Sequence, residues 1–431
     1  MAASHDFAAL SFIGGNILGF FGPESLLIDD SMPVTAATDL SEACFSDTPA
    51  VPRLLFDVTR LLESGLHTGI QRVVRRLIAA AQRQRHLTGC AVLAVTFQRD
   101  QWFALQYLAP HPLEGIEAEA QPDVQPIFPG TGDHIMMFDA SWYCDPWPAV
   151  DAARSRGAKI YGMVHDLLPL ERSTWFRDGL QQRFSEHLQL LVARAEMIFV
   201  PSETVRQRLL HKRKLLESFV QVLAHGGDFY SPGCQQQPSL DTVRQLASTI
   251  RGSFYCALGT LEPRKNHAFV LDAFEQLWSQ GSPAQLVVVG NRGWRVNELL
   301  MRLDAHPQLG HKLFVFSDLD DIAVHWLLRR AEALLYMSND EGFGLPVLEA
   351  AMAGCAVICS DIPVLRETGG DWPHYVRLDD LPALVDALTP TSNEPPRNET
   401  RVAPWRTWDQ VAQTLYGYVA LERVADAATS T

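Results

Sequence analysis

The chain has 431 residues, room for two or three domains at about 100–200 residues each. Hydrophobic residues make up 47% and charged residues 20%, which excludes disorder over most of the length. A net charge of −14 speaks against a nucleic-acid partner, since such binders carry a basic face.

Residues 1–52 read as a leader rich in Ala, Ser and Asp. Its apolar part, Phe7 to Gly22, is broken by glycines, and no Lys or Arg precedes Arg53, so neither a membrane span nor a signal-peptide start is read there. From Arg53 the pattern changes. LLFDV is a short buried strand, LLESGLHTG reads as a loop, and IQRVVRRLIAAAQRQ has helical period. Arg72, Arg75, Arg76, Arg83 and Arg85 lie on or just after that helix. They fit a solvated helix face, or a contact with anionic lipid headgroups or a donor phosphate. Further strands are expected at AVLAVTF, HIMMFDA, KIYGMVH, MIFVPS and FVQVLAH, with a helix over Leu180 to Arg194 among the segments between them. This alternation predicts an open parallel sheet covered on both faces, a first domain over residues 53–232.

SPGCQQQPSL opens an expected linker, residues 233–250. The alternation then restarts over residues 251–390 with SFYCALGT, QLVVVGN, KLFVFSD, ALLYMSN and AVICSD as strands, predicting a second parallel α/β domain. A polar break follows, and a closing amphipathic helix is expected over residues 403–425. The fold class is thus α/β, two Rossmann-like domains in tandem. Open sheets bind ligands beyond the carboxyl ends of their strands, so the cleft between the domains is the expected active site.

Two runs in the second domain carry chemistry. In NDEGFGLPVLEA, seven residues separate Glu341 from Glu349. Gly342 and Gly344 let the backbone approach a ligand, Pro346 suits a first helical turn, and the free amides of that turn favour an anion. Carboxylates accept several hydrogen bonds and so suit sugar hydroxyls. The alternative is a tight strand-to-helix turn with two surface glutamates. In GTLEPRKN, Arg264 and Lys265 stand at the mouth of a helix, where cations oppose the helix dipole. Paired cations there suit a diphosphate leaving group; the alternative is a solvated charge pair. Seven cysteines with no CxxC pair indicate neither a disulfide framework nor a Cys-rich metal site, and a reducing cytoplasm is the natural expectation.

These two runs, in their order and spacing, resemble the retaining glycosyltransferases of family four, the group 1 glycosyltransferases of GT-B fold. Glu341 and Glu349 match the family's Glu–x7–Glu, and Arg264 and Lys265 match its Arg-Lys pair. FDVTRLL…HTGIQRVVRRL resembles a bacterial mannosyltransferase-like subgroup acting on surface polysaccharides, and VHDLLP resembles the family's VHD segment. The likeness runs from about Leu54 to Leu388. It implies that Glu341 holds donor-sugar hydroxyls with the amides of Gly342, Phe343, Gly344 and Leu345. Glu349 would bind ribose, and Arg264 and Lys265 would neutralise the diphosphate without a metal or other cofactor. Gly259 and Gly69 would lie near the donor phosphates, although the family's Gly-Gly pair reads Thr68-Gly69 here. The base would rest near Val315 and Phe316. His165, with Asp166 beside it, would stand near the transferred sugar, donating to a sugar oxygen or to developing charge. Ser202 reads as a helix N-cap, and His225 and Asp228 as a turn on the hinge side.

The resemblance implies a retaining hexosyltransferase using a nucleotide-sugar donor. A GDP-sugar, mannose-like, is favoured over a UDP-sugar. The acceptor would be a glycan or lipid-linked saccharide, with attack on the donor's front face. A cytoplasmic chain with peripheral contact at the inner membrane face fits that acceptor. The other readings are a nucleotide-sugar 2-epimerase of the same fold and a non-catalytic sugar or nucleotide binder.

Overall fold

The computed structural model describes residues 51–64, 69–85, 89–105, 124–228, 237–389 and 405–429. The expected leader lies outside them, apart from Val51 and Pro52.

The first domain runs β1 (Arg53–Asp57), α1 (Thr59–Ser64), α2 (Gly69–Gln84), β2 (Ala91–Gln98), β3 (Gln101–Leu105), β4 (Val124–Ile127), β5 (Asp133–Met137) and α3 (Trp147–Ser155). It continues with β6 (Lys159–Met163), α4 (Leu168–Glu171), α5 (Leu180–Val192), β7 (Met197–Val200), α6 (Glu203–Arg213) and β8 (Val220–Val222). Its sheet has the order β4-β3-β2-β1-β5-β6-β7-β8. Leu54 and Phe56 of β1 enter the core on one face and Leu55 the core on the other, which is why the strand reads as an unbroken apolar run.

Two expectations need correction here. The sheet is not parallel throughout, because β3 and β4 add an antiparallel edge to β2. The turn from β2 to β3 is Arg99–Asp100, with Arg99 at φ 58, and lacks the Asn-Gly or Gly signal that marks such hairpins. The segment after β1, read as a loop, begins with helix α1. Asp57 accepts from the amide and hydroxyl of Thr59 (3.0 and 2.7 Å), and Asp139 accepts from the amide of Leu61 (2.7 Å). One of the first turn's two carboxylate partners is thus supplied from far along the chain.

At the amino ends of β1 and β5, Arg53 and Asp133 form a fully buried two-point ion pair, with Nε and Nη2 at 2.8 and 2.7 Å from the two carboxylate oxygens. Arg53→Met removes the guanidinium from the buried Asp133 carboxyl. It is expected to cost about 3–5 kcal/mol in unfolding free energy, read by urea denaturation.

The second domain holds α7 (Gln237–Thr249), β9 (Phe254–Leu258), α8 (His267–Ser279), β10 (Gln285–Val289), α9 (Asn297–Asp304), β11 (Leu313–Phe316) and α10 (Asp321–Arg330). Then come β12 (Ala333–Tyr336), α11 (Leu345–Met352), β13 (Ala356–Ser360), α12 (Pro363–Gly369), β14 (His374–Val376) and α13 (Leu381–Leu388). This sheet is parallel, in the order β11-β10-β9-β12-β13-β14. The expected linker is largely helix α7, whose Leu246 joins Ile250 in the second domain's core. Polar residues at its start hid an apolar spacing that only the neighbouring sheet makes useful.

The last helix, α14 (Trp408–Thr429), begins five residues after the expected start. Trp408, Val411, Ala412, Leu415, Tyr416 and Val419 complete the first domain's core, and the hydroxyl of Tyr416 donates to the carbonyl of Ala81 in α2 (2.7 Å). The chain therefore crosses back after finishing the second domain.

Candidate active site at the domain junction

The strand order of the second sheet reverses between β9 and β12, which are neighbours although about 80 residues apart. Loops leaving adjacent strands at such a point diverge and leave a crevice. Here they are tied together, the amide of Asn339 donating to the carbonyl of Arg264 at 2.7 Å. That tie brings the two chemistry-bearing runs into one cluster.

Glu341 is 6% exposed and is the centre of the cluster. One of its oxygens accepts from Nζ of Lys265 (2.6 Å) and from the hydroxyl of Tyr336 (2.8 Å); the other pairs with Arg264. Arg264 also pairs through Nε with Glu262 at 2.7 Å. The ammonium of Lys265 lies 4.5 Å from the centre of the Tyr336 ring and 2.5 Å from its hydroxyl. Burial alone would raise the Glu341 carboxyl, but the charges of Arg264 and Lys265 overcome it and hold it at about 2. Burial likewise works against the Arg264 charge, and Glu341 and Glu262 restore it, so the guanidinium is charged at any working pH. Two cations and two carboxylates make the cluster neutral as a whole. Gly259, with φ 132, leaves room for the aliphatic stem of Lys265, 3.3 Å from where a Cβ would stand.

The run after Glu341 turns into α11 at Gly344, whose φ of 95 favours glycine. The carbonyl of Gly342 accepts from the hydroxyl of Ser202 (2.8 Å), and that of Phe343 from Thr368 (2.5 Å). In a trans peptide the next amide points the opposite way, so the Phe343 and Gly344 amides face away from those partners. Ser202 also caps α6, accepting from Val205 at 3.2 Å. Its second bond, to the other domain, was not foreseen.

The first domain presses its own loop onto this turn. A Cβ on Gly342 would stand 2.0 Å from the carbonyl oxygen of His165 and 3.0 Å from Cβ of Asp166. Asp166 accepts from the amide of Leu168 at 3.0 Å; burial raises its carboxyl to about 6, with Arg264 opposing. Nε2 of His165 lies 2.8 Å from the carbonyl of Phe138, which requires the proton on Nε2 and leaves Nδ1 as an acceptor. Burial lowers its pKa to about 4 against that hydrogen bond, so the ring is neutral at pH 7. In this tautomer the Nε2 proton is committed to the Phe138 carbonyl.

Glu349, 7% exposed, projects from α11 and pairs with Arg72 of α2. Arg72 also reaches Asp321 at 3.4 Å, Arg76 reaches Asp321 at 2.5 Å, and Arg83 pairs with Asp409 at 2.6 Å. Three members of the arginine cluster thus engage acidic groups of later elements, Arg72 and Arg76 in a partly buried network and Arg83 in an exposed pair. Gly69 opens the same helix, with open space around its Cβ position. Leu345 packs its side chain on the first domain's core. Val315 and Phe316 end β11 at the edge of the second sheet, half-buried.

The remaining junction residues carried weak sequence signals. Gly226 and Gly227 belong to the turn read as hinge-side. A Cβ on Gly226 would meet the backbone of Trp408 at 2.5 Å, and one on Gly227 the side chain of Leu348 at 2.4 Å. Asp228 accepts from the amide of Trp408 at 2.6 Å, and the buried His225 ring lies 5.0 Å from Phe343 and 5.8 Å from Trp408. Glu367 of α12 accepts from the Thr204 amide (2.9 Å) and hydroxyl (2.7 Å) at the start of α6, and Arg208 pairs with Asp340 at 3.0 Å. A paired glycine was readable; the partners of Glu367, Arg208 and Tyr336 were not.

The sequence profile described as "Glycosyl transferases group 1" matches residues 244–376, which contain both Glu341 and Glu349 and the Arg264-Lys265 pair. The chain carries a group 1 glycosyltransferase domain. It is 31% identical over 380 residues to the serotype-specific mannosyltransferase WbdA of Escherichia coli, covering 84% of this chain and 44% of that protein. The chain therefore spans less than half the length of that relative. It is 26% identical over 226 residues to the O-antigen chain mannosyltransferase RfbU of Salmonella typhimurium, 52% of this chain and 58% of that one. In fold it is similar to sucrose-phosphate synthase from Thermosynechococcus elongatus, with a TM-score of 0.60 at 16% identity over 87% of this chain and all of the other. The architecture is GT-B, two Rossmann-like domains with the last helix returning to the first. Among the described residues no helix is long and apolar enough to cross a membrane.

Proposed function

We propose that this chain transfers mannose from a nucleotide-diphosphate sugar, GDP-mannose in preference to a UDP-sugar, to a saccharide or lipid-linked saccharide of a surface polysaccharide. The observation that carries the reading is the buried Arg264–Lys265–Glu341 cluster at the switch point of the second sheet. The mannosyltransferase relatives supply the sugar. A donor diphosphate competes with Glu341 for the two cations. Released from them, the carboxylate accepts from sugar hydroxyls, while Glu349 accepts from ribose. As the glycosyl bond breaks, charge collects on the diphosphate, where Arg264 and Lys265 stabilise it without a metal. The anomeric configuration is retained by front-face attack, a phosphate oxygen taking the acceptor's proton. The ion pairs of Arg72, Arg76 and Arg83 withdraw the basic cluster as an argument for a lipid-facing surface.

Calorimetry with GDP, UDP, ADP and dTDP, with and without magnesium, tests the reading. One nucleotide is expected to bind tightly without metal, and Glu349→Ala to weaken it about 10–100-fold, the range for hydrogen bonds to a charged group. Binding of none of the four would overturn the donor reading.

A further inference from the structure

Glu349 belongs to the second domain, but the group that holds it belongs to the first. Its carboxylate pairs with Arg72, one turn into α2, across 277 positions of sequence. Arg72 is itself held from the second domain by Asp321, in the first turn of α10. Arg76, one turn further along the same face of α2, shares Asp321 at 2.5 Å. The four side chains alternate in sign and in domain. All of them are at least partly withdrawn from solvent, with 27% of Arg72 and 9% of the Glu349 side chain exposed.

The geometry of this quartet matters because of what it leaves undone. The hydrogen bond from Arg72 engages Oε1 of Glu349. A carboxylate has about four lone-pair sites on two oxygens, so one guanidinium contact fixes its orientation without exhausting it. A carboxylate on a helix has several rotamers, and holding one of them has an entropic cost that a bound ligand otherwise meets at the moment of binding. We propose that Arg72 is a positioning residue for the nucleotide: from the opposite domain it presets Glu349 for the ribose hydroxyls, with Asp321 and Arg76 holding Arg72 in turn. This rests on the donor reading above. Its consequence is that nucleotide affinity, expected to reside in the second domain, depends on a residue of the first and on the domains being together.

The test is calorimetric binding of GDP, or of whichever of the four nucleoside diphosphates binds, to the full chain at fixed ionic strength. Wild type is compared with Arg72→Met, Arg72→Lys, Glu349→Ala and the Arg72→Met/Glu349→Ala double variant. Arg72→Met is expected to weaken binding about tenfold, at the low end for charged hydrogen bonds because Arg72 acts at one remove. Arg72→Lys should recover part of that loss, since it keeps the charge but not the planar fork that spans two carboxylates. In the Glu349→Ala background, Arg72→Met should have no further effect, because its object is gone. A role in folding alone would lower the melting temperature and add to the effect of Glu349→Ala. Unchanged affinity in Arg72→Met, or full additivity, overturns the proposal. Tighter binding in Arg72→Met also overturns it, by showing that Arg72 competes with ribose for Glu349. Failure of the wild type to bind any nucleotide would instead strike the donor reading itself.

Discussion

Gly342→Ala is expected to lower sugar transfer by at least about 100-fold, the cost of displacing a reacting group by roughly 1 Å, while leaving each domain folded. The added methyl would lie 2.0 Å from the carbonyl oxygen of His165 and 3.0 Å from Cβ of Asp166. The first of these is backbone, held where β6 ends, and cannot rotate out of the way. Nor does the substitution strain its own residue, since Gly342 is not among the glycines with positive φ. The conflict is therefore wholly between domains, and it is relieved by parting them. Parting them takes His165 and Asp166 away from the Glu341 cluster and breaks the bond from Ser202 to the Gly342 carbonyl. The cluster of Arg264, Lys265, Glu341 and Tyr336 lies within the second domain and survives. Turnover should thus fall by at least about 100-fold, while nucleotide binding falls only about tenfold, the loss expected when Arg72 leaves Glu349, and small-angle scattering should show a larger radius of gyration than in the wild type. Wild-type turnover would mean that the closeness of His165 and Gly342 plays no part in the reaction.

Much of this arrangement was legible in the sequence because it is local. The strand cores were runs of β-branched and aromatic residues between turn signals. EGFGLP and EPRKN were read as strand-to-helix turns, and both are. The hinge-side turn, the Ser202 cap and the existence of the last helix were also readable. What escaped was made by residues distant in sequence. The helix after β1 takes a first-turn acceptor from Asp139, and the antiparallel edge begins at an Arg99–Asp100 turn with no glycine. The arginines of α2 looked like a solvent face, because the acids that meet them, Asp321 and Glu349, come from the other domain. For His165, the residue's presence was readable but its tautomer was not, since that depends on a carbonyl 27 positions earlier. Tyr336 passed as an ordinary strand aromatic, and only the approach of β9 to β12 gives its hydroxyl Lys265 and Glu341 as partners.

Glu341→Gln tests the charge at the centre of that cluster, and its effect should depend on pH in a defined direction. Glutamine keeps the shape and one acceptor oxygen but not the charge. Arg264 and Lys265 would then keep Glu262 as their ion-pair partner, with Asp166 acting on Arg264 through space. Removing one partner of a buried ion pair costs about 3–5 kcal/mol, and that loss is expected in unfolding free energy at pH 7. The Glu341 carboxyl is depressed from an ordinary 4.5 to about 2 in the folded chain. A carboxyl with a depressed folded pKa contributes stability that is fully present above the unfolded value and is lost as pH falls toward the folded one. The share of the gap between wild type and Glu341→Gln that comes from the ionisation of Glu341 itself should accordingly be constant from pH 7 to pH 8, begin to close below about 4.5, and shrink steadily toward 2. Urea titrations of both proteins at pH 7, 5 and 3.5 would read it, roughly a 1.4 kcal/mol loss of the gap for each pH unit between the two pKa values. A gap that stayed constant down to pH 3.5 would show that Glu341 holds the cluster by its shape and hydrogen bonds. The two cations would then already be stable without its charge, and their availability to a diphosphate would have to be explained by Glu262.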